Sequence, residues 1–346
     1  MGTGQLLFED YEKAKAILLD YIADRKDVLE IWQYGEVSQP GVSDLDLIAV
    51  VKERCDPDIV DYLRKDNFDP LLQDAMAHAN LIIVPETTAE GVLYWDDIKI
   101  TNVKNGTPVN DPKDLNLSFR RSAMLVDWFF ERVYRIYSMK ENGISNQQLG
   151  LGMMKSFGYC IDNYRMVNPG SDMVVYDALK ERITGLRNQW LSFDSIEKEK
   201  QISGLFDDFY NFVIKCHRDI FEFLSNSKLY PDFSGSSKDY KFTFPDGLQF
   251  SFEDKYSKRD DGVVVLPKKL LSHFFLYTSS GSTLSNILQK SFNEVPLENS
   301  RFLFSGEYRD FLQKRIDIAS HWYDCLKLNG FSYGLFKFGW YLNQKN

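Results

Sequence analysis

The sequence predicts an α+β protein: a mixed sheet with helices comes first, a helical bundle second, and a smaller α/β hairpin-plus-helix region last. Three observations lead there. Short apolar runs of strand length, separated by helical and polar stretches, fill the segment up to Thr101. From residue 116 to about 228 the apolar residues recur instead with the 3.6-residue period of helices packed on one another. A period-2 pair of apolar runs then brackets Pro245-Asp246-Gly247, and a long helical pattern returns at 307–328. Turn clusters at Asn105-Gly106-Thr107-Pro108 and Asn110-Asp111-Pro112, and the small polar stretch Ser234-Gly235-Ser236-Ser237, divide the chain into 1–110, 111–230 and 231–346.

Phe8, Tyr11, Ala14, Ile17, Leu18, Tyr21 and Ile22 form a helical stripe over 8–25, with Glu9 and Asp10 at the positive end of its dipole. A strand over 28–34 follows, then a Gly/Pro loop and a strand over 44–51. Pro57 and Pro70 open two short helices, 57–66 and 69–79. Leu81-Ile82-Ile83-Val84 reads as a buried strand. Val92-Leu93-Tyr94-Trp95 and Ile98-Lys99-Ile100-Thr101, separated by Asp96-Asp97, read as a hairpin. In the bundle, one helix covers 116–141. Ser145 and Gln148 form a capping box for a second, which Asn168-Pro169-Gly170 stops. Ser171 caps a third, and Asp194 with Glu197 starts a fourth. Phe242 and Phe244 face Leu248, Phe250 and Phe252 in a second hairpin, Gly262 to Leu266 adds a strand, and the last long helix occupies 307–328.

Composition narrows the classes of function. With 346 residues the chain exceeds one ordinary core, so two or three packed units are expected. A net charge of −9 opposes a large nonspecific nucleic-acid interface, which makes a small molecule or another protein the expected acceptor. Cys55, Cys160, Cys216 and Cys325 lack Cys-x-x-Cys spacing, so neither a zinc site nor a disulfide framework is predicted. His78, His217, His273 and His321 show no ligand spacing and no nucleophile motif nearby, and read as structural. No basic-then-apolar leader and no run of roughly 18 apolar residues is present, and Leu6 stands where a myristoylation signal needs Ser or Thr. A cytoplasmic protein without a membrane partner is expected.

The chemistry concentrates between Ile31 and Val51. Asp44 and Asp46 stand two apart at the start of a predicted strand, so both carboxylates project from one face. Two ionised carboxylates that close repel unless a cation lies between them, and oxygen ligands at a strand rim suit Mg²⁺ shared with substrate phosphates. Together with Tyr34-Gly35, the stretch Ser43-Asp44-Leu45-Asp46-Leu47 resembles the signature of the DNA polymerase beta-like nucleotidyltransferase superfamily: an apolar strand, a Gly-led loop, then Asp-x-Asp between apolar residues.

The resemblance implies that Asp44 and Asp46 bind metal ions carrying a nucleoside triphosphate, while Gly35, Ser38 and Ser43 shape the loop that meets its phosphates. It also implies a third carboxylate on a neighbouring strand. Asn80 occupies the corresponding position, and the alternatives are Glu86, Asp97 with its neighbour Asp96, or no third acid. Glu36 departs from the family, which has Ser or Gly there. Lys155, on the second bundle helix, resembles the helical lysines by which the superfamily reaches triphosphates, although a solvated lysine explains it as well. Arg120 and Arg121 read as surface charge. Ser279-Ser280-Gly281-Ser282-Thr283 lacks the Gly-Lys-Ser/Thr ending of a phosphate loop and reads as a helix-capping turn.

The expected function is therefore Mg²⁺-dependent transfer of a nucleoside monophosphate, with ATP as the expected triphosphate, to a small-molecule or protein hydroxyl. The alternative is a catalytically inactive nucleotidyltransferase-like protein that binds a ligand or partner. A sugar-nucleotide glycosyltransferase is disfavoured because only 43 residues precede Asp44.

Overall fold

A computed structural model describes residues 6–77, 79–170, 174–230, 240–243, 249–257, 263–271, 273 and 306–331. The chain divides into two units: Met1–Leu115 together with Lys314–Asn346, and Asn116–Gln313. The α+β class is as the sequence predicts.

The first unit is built on a four-stranded mixed sheet. Helix α1 (Phe8–Tyr21) buries Tyr11, Ala14 and Leu18, the predicted stripe, and ends four residues earlier than expected. Strands β1 (Val28–Tyr34) and β2 (Leu47–Val51) pair antiparallel, Gln33 opposite Leu47. All five residues of β2 are buried, as a central strand covered on both faces requires. Strand β3 (Ile82–Pro85) runs parallel to β2, and β4 (Ile100–Asn102) antiparallel to the other edge of β1, giving the order β3-β2-β1-β4. Helices α2 (Ile59–Tyr62) and α3 (Pro70–Met76) are shorter than predicted. Helix α3 starts where Asp69 accepts from the Leu71 amide at 2.8 Å and Pro70 fills the first turn.

The predicted hairpin over 92–101 does not form. Residues Glu86–Tyr94 make a kinked 3₁₀ helix, with Thr88 off helical geometry, and only Ile100–Asn102 is strand. Val92, Leu93, Tyr94 and Trp95 are all buried in succession, a pattern that a tightly packed helical segment produces as readily as a strand.

The second unit holds the helical bundle and a small three-stranded sheet. Helix α4 (Leu117–Asn142) is capped by Asn116, whose side chain accepts from Ser118 and Phe119 amides. Helix α5 (Gln147–Val167) is capped by Asn146 accepting from Leu149 at 3.0 Å, one residue after the predicted Ser145. Helices α6 (Val174–Gln189) and α7 (Ser195–Asn226) complete it. Asp194 accepts from the Glu197 amide at 2.8 Å, the cap the sequence marks. Strands β5 (Tyr240–Thr243) and β6 (Gln249–Glu253) are antiparallel as predicted, and β7 (Val263–Pro267) adds in parallel to β6. Val263 and Val265 pack with Phe221 of α7 and Tyr256.

Helix α8 (Glu307–Leu328) matches its predicted span; its residues up to Gln313 cluster with the second unit and the remainder with the first. Ser171, the Ser234 to Ser237 stretch, Phe244 to Leu248, the Ser279 to Thr283 stretch and His78 lie outside the described residues. No described helix is long and apolar enough to cross a membrane.

Candidate functional site

The segment that links β1 to β2 is held in shape by its own donors and by α1. Gly35 ends β1 with φ of +77°, a backbone region that side-chain-bearing residues avoid, and its amide donates to the Lys99 carbonyl at 2.9 Å. The Tyr11 hydroxyl donates to the Ser43 carbonyl at 2.7 Å and accepts from the Gly41 amide at 2.9 Å. Amides of Val42 and Ser43 both reach the Gln39 carbonyl, while the Gln39 amide donates to Ser43 Oγ at 3.1 Å. Ser38 Oγ lies 3.3 Å from Ser43 Oγ. Thus the two predicted serines do meet. The amides of Gly35, Gln39, Gly41, Val42 and Ser43 are committed within the protein, so a phosphate here would be met by hydroxyls more than by these backbone donors.

Strand β2 begins only at Leu47, which leaves both aspartates in the last residues of the loop, just before the strand. Their common face survives nonetheless. Leu45 and Leu47 are buried to 1% and 0% exposure while Asp44 and Asp46 are half-buried, the alternation of an extended chain. The Leu45 amide donates to the Ala75 carbonyl at 2.9 Å, and the Asp46 carbonyl accepts from Tyr34 at 2.9 Å. Each aspartate is therefore fixed by its apolar neighbour.

Tyr11→Phe tests how much this scaffold matters. It strips a partner from two loop backbone groups, so stability should fall by about 2 kcal/mol. Exchange of the Gly41 amide with solvent should accelerate, and an unchanged Gly41 exchange rate would show that the hydroxyl does not hold the loop.

Around this rim the charges are arranged by nearby pairs. Glu36, which departs from the resembled signature, forms an exposed ion pair with Lys99 at 2.9 Å, and that pairing draws its carboxyl pKa down. Lys65 donates to the Ala77 carbonyl; burial lowers its ammonium pKa, against the opposing fields of Asp66, Asp74 and Asp44. Ala77 is the one non-glycine with positive φ (48°) among the described residues, and it follows α3 two positions after the carbonyl that anchors Leu45.

The candidate third acids separate by position. The parallel register pairs Ile48 with Ile82 and Val51 with Pro85; continued backwards it sets Asn80 beside Asp46. Glu86 follows the opposite end of β3, six residues of strand rise from Asp46, or about 20 Å. The structure does not bring it to the aspartate pair. Glu86 instead lines a cavity of about 540 Å³ with Glu30, Trp32, Thr87 and Lys314, away from Asp44 and Asp46. Asp97 is exposed and Asp96 is 3% exposed, accepting from the Tyr34 hydroxyl and the Asp97 amide. Both lie at the same end of the sheet as Asp46. They sit by β4, two strand spacings or about 10 Å from β2. Lys155 belongs to α5 of the second unit and is half-buried.

No protein-family model, curated protein or solved structure matches the chain. The functional reading consequently rests on this geometry and on the resemblance of the Tyr34–Leu47 stretch.

One constellation escaped sequence reasoning. Glu53, His321 and Cys325 meet in the first unit, with His321 Nε2 3.1 Å from Glu53 Oε2 and 3.6 Å from Cys325 Sγ. From sequence, no ligand spacing is expected among the histidines and no zinc-type spacing among the cysteines, yet His321 and Cys325 come together with Glu53 in space. The available signal was His321-x-x-x-Cys325, one helical turn apart on a predicted helix. The other three histidines divide otherwise: His217 and His273 are buried in the second unit, and His78 is outside the described residues.

Proposed function

We propose that the protein binds a nucleoside triphosphate with Mg²⁺ at the rim formed by Gly35, Ser38, Ser43, Asp44 and Asp46, and transfers its nucleoside monophosphate to a small-molecule or protein hydroxyl. The observation that carries the reading is the half-buried Asp44–Asp46 pair on one face, anchored by Leu45 and Leu47 at the mouth of a central strand. Two carboxylates in that relation are hard oxygen donors and fit Mg²⁺, which would supply neutralisation of the triphosphate charge. Asp44 and Asp46 would hold it. Ser38 and Ser43 offer hydroxyls on the same loop, and the Glu36 carboxylate is paired with Lys99.

A second reading, a binding protein without transfer, is favoured by Asn80. An amide beside Asp46 cannot accept the proton of an attacking hydroxyl, and Glu86 is too distant to replace it.

Calorimetry of ATP binding with and without Mg²⁺, together with pyrophosphate release in the presence of candidate acceptors, tests both. Asp44→Asn and Asp46→Asn are each expected to weaken Mg²⁺-dependent binding at least about tenfold, equivalent to about 1.4 kcal/mol. Pyrophosphate release that disappears in both variants supports transfer; metal-dependent binding without release supports the second reading. Triphosphate binding that ignores Mg²⁺, or that both variants retain, refutes the site itself.

A further inference from the structure

Glu53 leaves the sheet two residues after β2, while His321 and Cys325 stand one turn apart on α8 and project from the same face. Their donor atoms converge. Cys325 Sγ is 2.7 Å from Glu53 Oε2, and His321 Nε2 is 3.3 Å from Glu53 Oε1. Thr87 Oγ1 joins from the 3₁₀ helix, 3.0 Å from His321 Nε2 and donating to Glu53 Oε1.

The arrangement is unlike a thiol–imidazole–carboxylate catalytic relay. Such a relay uses both ring nitrogens, one toward the nucleophile and one toward the acid that orients the ring. Here the same Nε2 faces the thiol, the carboxylate and the hydroxyl. Atoms that point at one centre rather than along a chain are the geometry of a cation cage.

The spacings agree. Zinc–nitrogen and zinc–oxygen distances of about 2.0–2.1 Å with zinc–sulfur of about 2.3 Å give a tetrahedron whose edges are roughly 3.3–3.6 Å. The Nε2–carboxylate and Nε2–Sγ separations are already at or near those edges. Only the Sγ–Oε2 edge is shorter, because the thiol proton bridges it.

We propose that Glu53, His321 and Cys325 form a zinc site, with the fourth position beside Thr87. A thiolate, an imidazole and one carboxylate select zinc over the all-oxygen preferences of Mg²⁺ or Ca²⁺. Binding breaks the Cys325 S–H bond and forms a Zn–S bond. The proton passes to solvent, and no oxidation state changes. Thr87 also lines the cavity that Glu30, Trp32 and Glu86 share, so the fourth position has an approach for water or a small ligand. Asn329 reinforces the frame, donating to the Glu53 carbonyl at 3.1 Å and accepting from the Cys55 amide at 2.9 Å.

The test is a titration of the full chain, stripped with chelator, with Zn²⁺ by calorimetry and with Co²⁺ by absorption. One zinc per chain is expected, with a heat that varies with buffer ionisation because a proton is released, and cobalt should give a thiolate charge-transfer band. Cys325→Ser should abolish that band and weaken zinc at least tenfold, as should His321→Ala for zinc. Cys55→Ser, whose thiol donates to the Lys52 carbonyl instead, should retain both signals. The wild-type titration decides independently of whether any variant folds: absence of saturable zinc uptake overturns the proposal. A cobalt–thiolate band that persists in folded Cys325→Ser overturns it equally.

Discussion

Acidification from pH 7 to pH 4 should cost the protein about 3 kcal/mol through His217 alone. That ring is 1% exposed in α7 and joins three elements of the second unit. Its Nε2 is 2.5 Å from the Val265 carbonyl of β7 and so must donate, which leaves Nδ1 to accept from the Tyr137 hydroxyl of α4 at 3.0 Å. Phe129 and Tyr256 meet the ring edge-on, so no water shares the charge of an imidazolium. Burial drives the pKa from 6.5 down to about 4, against a smaller opposing effect of the Val265 hydrogen bond. Between those values the unfolded chain binds a proton that the folded one refuses. Stability is therefore fully present above pH 6.5, is lost as pH falls toward 4, and changes no further below. Urea unfolding at pH 7, 5.5 and 4 measures it. His217→Gln should start less stable at pH 7 but show a decline about 3 kcal/mol smaller than wild type, and parallel declines would show that the group titrating is another one. Glu53 acts in a separate window. Burial raises its carboxyl, and hydrogen bonds from Cys325, Thr87 and His321 outweigh that and hold it at about 2. Its contribution is present above pH 4.5 and lost only as pH falls toward 2.

What the sequence discloses and what it hides differ by the range of the interactions involved. The β1–loop–β2 stretch is legible because its cues are local: a continuous apolar run for a strand covered on both faces, Gly35 where φ must be positive, and Leu45 and Leu47 alternating with two aspartates. The caps at Asp69 and Asp194 are legible for the same reason. Val92 to Trp95 misleads because complete burial erases the periodicity that tells a strand from a helix. Asp96, read as a turn residue, is instead a buried acceptor for Tyr34, a partner 62 positions away. Register is the next level of difficulty. Asn80 is marked only through the resemblance to the nucleotidyltransferase signature, and the distance of Glu86 follows only from the parallel pairing of β2 with β3. Glu53 and His321, 268 positions apart, lie beyond any local signal, since their meeting depends on where α8 returns to the first unit.

Two glycines six residues apart on α5 should respond to substitution with opposite signs. Gly152 has open space where a methyl group would go, so Gly152→Ala removes only the entropy penalty of glycine in a helix and should stabilise by about 0.5–1 kcal/mol. Gly158 faces α6. A β-carbon there would stand 2.1 Å from the Tyr176 hydroxyl oxygen, well inside contact distance. Tyr176 cannot easily withdraw: it is 2% exposed, and its ring stacks on Phe212 of α7 at 5.5 Å with a 21° interplanar angle. Phe212 in turn meets Phe157, the residue before Gly158, edge-on. Any shift of Tyr176 thus displaces the aromatic contacts that join α5, α6 and α7, and the helix-propensity gain of about 1 kcal/mol is outweighed. Gly158→Ala should destabilise by about 1–2 kcal/mol. Gly158→Val, which adds two methyl groups and a β-branched residue in mid-helix, should cost about 3 kcal/mol or more. Urea midpoints for the three variants against wild type measure this directly. A Gly158→Ala variant as stable as Gly152→Ala would mean that α6 can move away from α5 freely, and that the bundle is not held by the close approach at Gly158.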